Sequence, residues 1–75
     1  MNKQRRTAIA EIAEQISEAR DSLESIRYEE EEAYENYPDS LKDTERGEAM
    51  QNAIETLDEA YSQLEEAIDL LLSID

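Results

Sequence analysis

The apolar residues of this chain recur at alternating steps of three and four, and a single cluster of helix breakers interrupts them. This spacing places apolar side chains along one face of an α-helix, whereas a strand needs a period of two. The breakers occupy residues 36–40, where Pro38 disfavours the helical conformation of the residue before it. The sequence therefore predicts an all-α protein with helix one over about residues 3–35, a turn over about 36–43 and helix two over about 44–74.

Local signals agree with this division. The chain has one Gly, one Pro and no Val, and it is rich in Ala, Glu, Ile and Leu, which favour helices. Ser40, Asp43 and Thr44 each offer a side-chain oxygen to cap helix two. Gly47 costs that helix about 1 kcal/mol relative to Ala. We interpret it either as tolerated strain or as a sign of close backbone approach by a partner.

Both helices carry a heptad pattern, which we number with Ile9 and Ile54 at position a. The expected contact positions a and d of helix one, interrupted by Glu30, are Ile9, Ile12, Ile16, Ala19, Leu23, Ile26, Ala33 and Tyr37. Those of helix two are Met50, Ile54, Leu57, Tyr61, Leu64, Ile68 and Leu71. Two helices of about 30 residues joined by a short turn must lie antiparallel. The expected fold is a coiled-coil-like two-helix hairpin forming one domain over residues 1–75.

A turn near residue 41 also predicts which residues face each other. Arg27 falls beside Asp58, Arg20 beside Glu65, and Arg6 near the carboxy terminus. We expect these arginines to fix the register through ion pairs, although they could instead serve solubility alone.

The other flank of the hairpin is small and almost uncharged, with Ala8, Gln15 and Ser22 at the g positions of helix one. A lone hairpin leaves half of each apolar stripe exposed, so we expect a homodimer that forms a four-helix bundle. The expected dimer interface consists of Ala53, Ala60, Ala67, Leu70, Leu72 and Ile74. The alternative is a monomer whose alanines reflect helix propensity only.

Size and composition argue against an enzyme. The 75 residues include no Cys and no His, so there is no thiol nucleophile, imidazole base or ordinary zinc site. Asp39, Asp43 and Glu45 lack the alternating ligands and central glycine of a calcium loop. We therefore predict no catalytic residue, metal or cofactor. No apolar run approaches the roughly 20 residues of a membrane span, so a cytoplasmic protein is expected.

Acidity is the strongest chemical signal, because the chain has 21 acidic and 7 basic residues and a net charge of -14. Acids at the c and f positions of helix one form a stripe opposite the expected contact face. Their spacing of about 5–6 Å is close to that of phosphates along a nucleic-acid strand. The expected partner-binding residues are Glu14, Glu18, Asp21, Tyr28, Glu31, Glu32 and Glu35. Alternatively, the acids only keep the helix soluble.

The turn and the repeat that follows it carry a resemblance to a known family. The turn reads Asn36-Tyr37-Pro38-Asp39-Ser40-Leu41-Lys42-Asp43-Thr44-Glu45-Arg46, followed by Glu48-Ala49-Met50 and the repeat Ala-Ile-Glu-x-Leu-Asp-Glu-Ala. The chain resembles short acidic helical-hairpin proteins of phages, prophages and mobile elements of Gram-positive bacteria. This resemblance implies a mobile-element context in a bacterial host cell but no particular mechanism. Small acidic phage proteins often block host enzymes, including defence nucleases and CRISPR effectors.

Two functions follow as hypotheses. One is an inhibitor that presents a nucleic-acid-mimicking carboxylate surface to a basic host protein and does not itself bind nucleic acid. The other is a structural or assembly adaptor in which the charge serves solubility. The two differ in their expected response to salt, which weakens electrostatic binding far more than apolar binding.

Overall fold

The computed structural model describes all 75 residues and consists of two long helices joined by a short 3₁₀ turn. Helix α1 spans Lys3–Glu35, the 3₁₀ turn spans Asp39–Leu41, and helix α2 spans Glu45–Leu72. The molecule measures 58 × 14 × 12 Å, so the helices lie side by side along their length. The predicted all-α two-helix hairpin is confirmed. No helix is long and apolar enough to span a membrane.

The helix ends are set by side-chain caps. The Asn2 side chain accepts a hydrogen bond from the Arg5 N–H at 2.8 Å and begins α1. Of the three candidate caps for α2, Thr44 is the one used, and its hydroxyl accepts from the Gly47 N–H at 3.4 Å. Glu45 and Glu48 place negative charge in the first turn of α2, where the helix dipole favours it.

Gly47 is buried where the turn folds back over the start of α2. A Cβ atom at this position would lie 2.2 Å from the carbonyl oxygen of Lys42. Its φ angle is not positive, so the requirement for glycine is steric rather than conformational. The close approach expected from a partner is therefore supplied by the backbone of the chain's own turn.

The contact face of α1 differs from the expected one. The a positions contact α2, but the d positions Ile12, Ala19, Ile26 and Ala33 are exposed, with Ile12 at 47% and Ile26 at 51%. The e positions replace them as buried or half-buried contacts: Ala13, Arg20, Arg27 and Tyr34. The expected contact face of α1 is thus right at its a positions and wrong at its d positions, because the helix is rotated toward its e positions. A single partner helix covers only part of the broad apolar face of α1. The part that α2 covers includes the e positions, and this leaves the d positions exposed.

The contact face of α2 agrees with the sequence pattern. Its a and d positions are all buried or half-buried, as are the alanines at g. Full burial is nevertheless rare. Only Ala13, Gly47 and Ile68 are buried in the whole chain. The hairpin therefore has a line of contacts rather than an enclosed core.

Candidate functional site

One flank of the hairpin carries linked charged and aromatic side chains, which we call the polar flank. Its members are Arg20, Glu24, Arg27, Tyr28, Glu31, Asp58 and Tyr61. Arg27 donates from Nε and Nη2 to the carboxylate of Asp58 across the two helices, and from Nη1 to Glu31 at 2.9 Å. The expected pairing of Arg27 with Asp58 is thus present, and it links α1 to α2 near the middle of the hairpin.

Arg20 does not form the expected ion pair with Glu65, although Glu65 lies near enough to interact with its charge. Arg20 instead pairs with the adjacent Asp21 at 3.2 Å, and its guanidinium lies 5.9 Å from the centre of the Tyr61 ring. A guanidinium is attracted to an aromatic face, which accounts for the contact with Tyr61. Arg6 borders a cavity with Leu72 and Ile74 near the carboxy terminus but makes no ion pair.

Neighbouring carboxylates shift the pKa values of two groups in the polar flank. Glu24 raises the pKa of the Tyr61 hydroxyl above its ordinary value, and partial burial acts in the same direction. The hydrogen bond to Asp58 raises the pKa of Arg27. Both shifts favour the form that each group already has at neutral pH, a neutral hydroxyl and a charged guanidinium.

The polar flank contains an open depression of about 160 Å³, lined by Glu24, Arg27, Tyr28, Asp58 and Tyr61. Its polar groups largely bond to one another and do not converge on an enclosed space. No group of three or more His, Cys, Asp or Glu side chains is placed to hold a metal ion.

Most of the expected partner-binding residues lie on the surface of α1. Tyr28 is 58% exposed, and Glu14, Glu18, Asp21, Glu32 and Glu35 are also exposed, whereas Glu31 is half-buried against Arg27. The structure brings Tyr28, Glu31, Glu32 and Glu35 around one shallow depression beside Asn36. We call these four residues the carboxylate patch. Glu14, Glu18 and Asp21 lie two or more turns closer to the amino terminus.

The rotation of α1 also moves the acidic stripe relative to α2. The f positions, which include Asp21 and Tyr28, border the polar flank instead of lying directly opposite α2. This is shown by Tyr28, which shares a depression with Asp58 and Tyr61. The sequence did not predict this position of the stripe, because its pattern placed the contact at the d positions of α1, one residue before the e positions that contact α2.

The acids are largely without basic partners. Four ion pairs are present, and they use Asp21, Glu31, Asp39 and Asp58. The other 17 of the 21 acids have no basic group within 4.0 Å. The negative charge of the surface is therefore available to an incoming partner.

The opposite flank is apolar, and sequence reasoning missed half of it. On α1 it consists of Ile12, Ala19, Ile26 and Ala33, and on α2 of Ala53, Ala60 and Ala67; we call these seven residues the apolar flank. The heptad geometry places them on the g side, away from Arg27 and Asp58 on the e side. The sequence does carry a signal for this flank, because Ile and Ala alternate every seven residues from Ile12 to Ala33. We had interpreted this pattern as part of the contact face between the two helices of the hairpin.

The structure does not bring all six expected interface residues together. The three alanines of α2 lie on the apolar flank. Ile74 follows the end of α2 and lines the same cavity as Arg6 and Leu72. Leu70 and Leu72 are each 63% exposed, but Leu72 falls at an e position on the polar side and Leu70 at a c position.

The chain matches no protein-family model, no curated protein and no solved structure.

Proposed function

We propose that this protein inhibits a basic host protein, such as a nucleic-acid-binding enzyme, a defence nuclease or a CRISPR effector, by occupying its nucleic-acid site. The observation that supports this proposal is the surplus of 17 acids without basic partners on a thin, rod-like molecule.

The geometry of α1 suits such a role. Acids three or four residues apart on a helix present charges about 5–6 Å apart, close to the phosphate spacing that a basic groove is built to bind. Lys and Arg side chains of the target would pair with these carboxylates through charge-assisted hydrogen bonds. The strongest contacts are expected at the carboxylate patch, where Glu32 and Glu35 are exposed and unpaired.

Tyr28 provides the patch with an apolar anchor. Its ring is exposed, and the Arg27 guanidinium lies 5.7 Å from its centre, which restrains the ring beside the acids. Tyrosines of this kind are enriched among the residues that dominate interface energies. Binding would thus combine a broad electrostatic attraction with one localised contact.

The test compares two charge-matched variants. The α1 variant replaces the acids Glu14, Glu18, Asp21, Glu32 and Glu35 with the corresponding amides, and the α2 variant does the same at Glu48, Glu55, Glu59, Glu66 and Asp69. Each removes five charges while preserving shape and helix propensity. Affinity for a protein captured from a Gram-positive lysate should fall more than tenfold in the α1 variant and much less in the α2 variant. The captured protein should also be displaced by an oligonucleotide.

Two outcomes would contradict the proposal. Equal losses in both variants would indicate diffuse attraction without a patterned surface. No loss in either, together with binding that resists salt, would favour the adaptor function. The apolar flank is the observation that favours this second candidate, because it offers a surface for assembly. In either case we propose that the working unit is a homodimer in the form of a four-helix bundle.

A further inference from the structure

The hairpin exposes more surface than a chain of its mass normally does. Its accessible area is 5697 Å² for 8.7 kDa. The relation between mass and surface for folded monomers gives about 4,700 Å². The excess of about 1,000 Å² is close to the roughly 800 Å² that each partner buries in a standard protein interface. The excess reflects the thin shape of the hairpin, 58 × 14 × 12 Å, and it is large enough for one standard interface.

The apolar flank is where a neighbour fits. Ile12 and Ile26 are about half exposed, and of the adjacent g positions Ala8, Gln15 and Ser22 carry no charge, whereas Glu29 at one end is an acid. The remaining surface holds the other unpaired acids. A second copy carries the same charge of -14, so it can approach closely only where neither molecule presents carboxylates.

We infer that two copies associate through their apolar flanks, with each α1 antiparallel to the α1 of the other around a two-fold axis at Ala19. This inference specifies the homodimer proposed above. The d positions of α1 are spaced symmetrically about Ala19, at Arg5, Ile12, Ala19, Ile26 and Ala33. An axis at Ala19 places Ile12 against the partner's Ile26, and each alanine makes room for a close approach.

Charge selects the antiparallel arrangement. It places Arg5 against the partner's Ala33, one turn from the partner's Glu29 and Glu30. Arg5 makes no ion pair within the hairpin, and neither do these two acids. A parallel arrangement would instead bring the four consecutive acids 29–32 of each copy close to one another, which like-charge repulsion opposes.

Disulfide trapping tests this arrangement directly, because the chain has no cysteine of its own. Disulfides need Cα atoms within about 7 Å. In the antiparallel dimer, equivalent copies of residue 12 lie about 21 Å apart along the axis. Ile12→Cys and Ile26→Cys should each remain uncrosslinked alone and should crosslink when mixed under mild oxidation. Ala19→Cys should crosslink alone, and Glu14→Cys, on the outer surface, should not.

The outcomes separate the geometry from the dimer itself. Equilibrium sedimentation at tens of micromolar, a concentration suited to modest interfaces, should show a dimer for the unmodified chain. A folded monomer would overturn both the dimer and this inference. A dimer in which Ile12→Cys crosslinks alone, or in which the mixture fails to crosslink, would overturn the antiparallel arrangement and leave the dimer intact. Neither result bears on the affinity of the acidic surface for a target.

Discussion

Gly47 lies in the first turn of α2, directly against the backbone of Lys42. The turn at this point is compact. The Lys42 ammonium pairs with Asp39 at 3.0 Å and lies 5.1 Å from the centre of the Tyr34 ring. A glycine that looks unfavourable for a helix is thus the residue that lets the turn pack against the helix it precedes.

We predict that Gly47→Ala destabilises the hairpin although alanine is the better helix former. The added Cβ would meet a carbonyl oxygen, at an overpacking cost of about 1–3 kcal/mol. The gain in helix propensity offsets about 1 kcal/mol of this. Thermal melts followed by circular dichroism should show a lower melting temperature, with each kcal/mol worth about 4–8 °C in a domain of this size.

Ala49→Gly is the matched control, because Ala49 is exposed in the same helix. It should destabilise by about 1 kcal/mol through propensity alone. If Gly47→Ala raised the melting temperature instead, the close contact with Lys42 would not lower the free energy of unfolding of the variant.

Two acids of the expected binding stripe show what sequence alone leaves open at this scale. Glu31 and Asp21 were expected to act as free carboxylates, yet Arg27 and Arg20 pair with them. A guanidinium can reach several acids on an acidic helix, so the choice depends on its position relative to the other helix. The exposure of Tyr28, by contrast, followed from its f position.

At the scale of the helices, the sequence predicted where each helix begins and ends, but it did not predict which face of α1 contacts α2. Pro38, the N-cap oxygens and the three-and-four spacing are local signals, and they set where each helix begins and ends. The choice between Ala13 and Ala19 as a contact is different, because both alanines fit an apolar face. It depends on how e residues such as Arg27 meet α2, which is a tertiary property.

We predict that Ala13→Leu destabilises the hairpin, whereas the a/d face expected from the sequence would leave this position outside the contact. Ala13 is only 2% exposed, so the larger side chain should cost about 1–3 kcal/mol through overpacking. Chemical denaturation measures this loss as a change in the free energy of unfolding. Ala10→Leu provides the control, since Ala10 is exposed one turn earlier and should change stability little.

The whole molecule combines a thin line of buried contacts with a large surplus of negative charge. Three buried residues leave little apolar stabilisation, while the net charge of -14 opposes any compact state. Four mostly exposed ion pairs contribute about 0–1 kcal/mol each. Repulsion should therefore outweigh ionic attraction in the response to salt.

We predict that the melting temperature rises as ionic strength increases from about 0.01 M to about 0.15 M, where the Debye length falls from about 30 Å to about 8 Å. The α1 amide variant, with five fewer charges, should show a weaker dependence. A melting temperature that falls with salt would mean that pairs such as Arg27 with Asp58 dominate the electrostatic free energy.

The compact turn around Gly47 also determines the order in which the hairpin assembles. Contacts near the turn join residues that are close in sequence, whereas Arg27 and Asp58 are 31 residues apart and contacts at the open end are farther apart still. Loop closure costs more entropy as the loop lengthens, by about 0.6 kcal/mol per doubling. Each contact that forms shortens the loop left for the next. We therefore expect the helices to associate from the turn outward, so that the open end, where both termini lie, forms last and frays first.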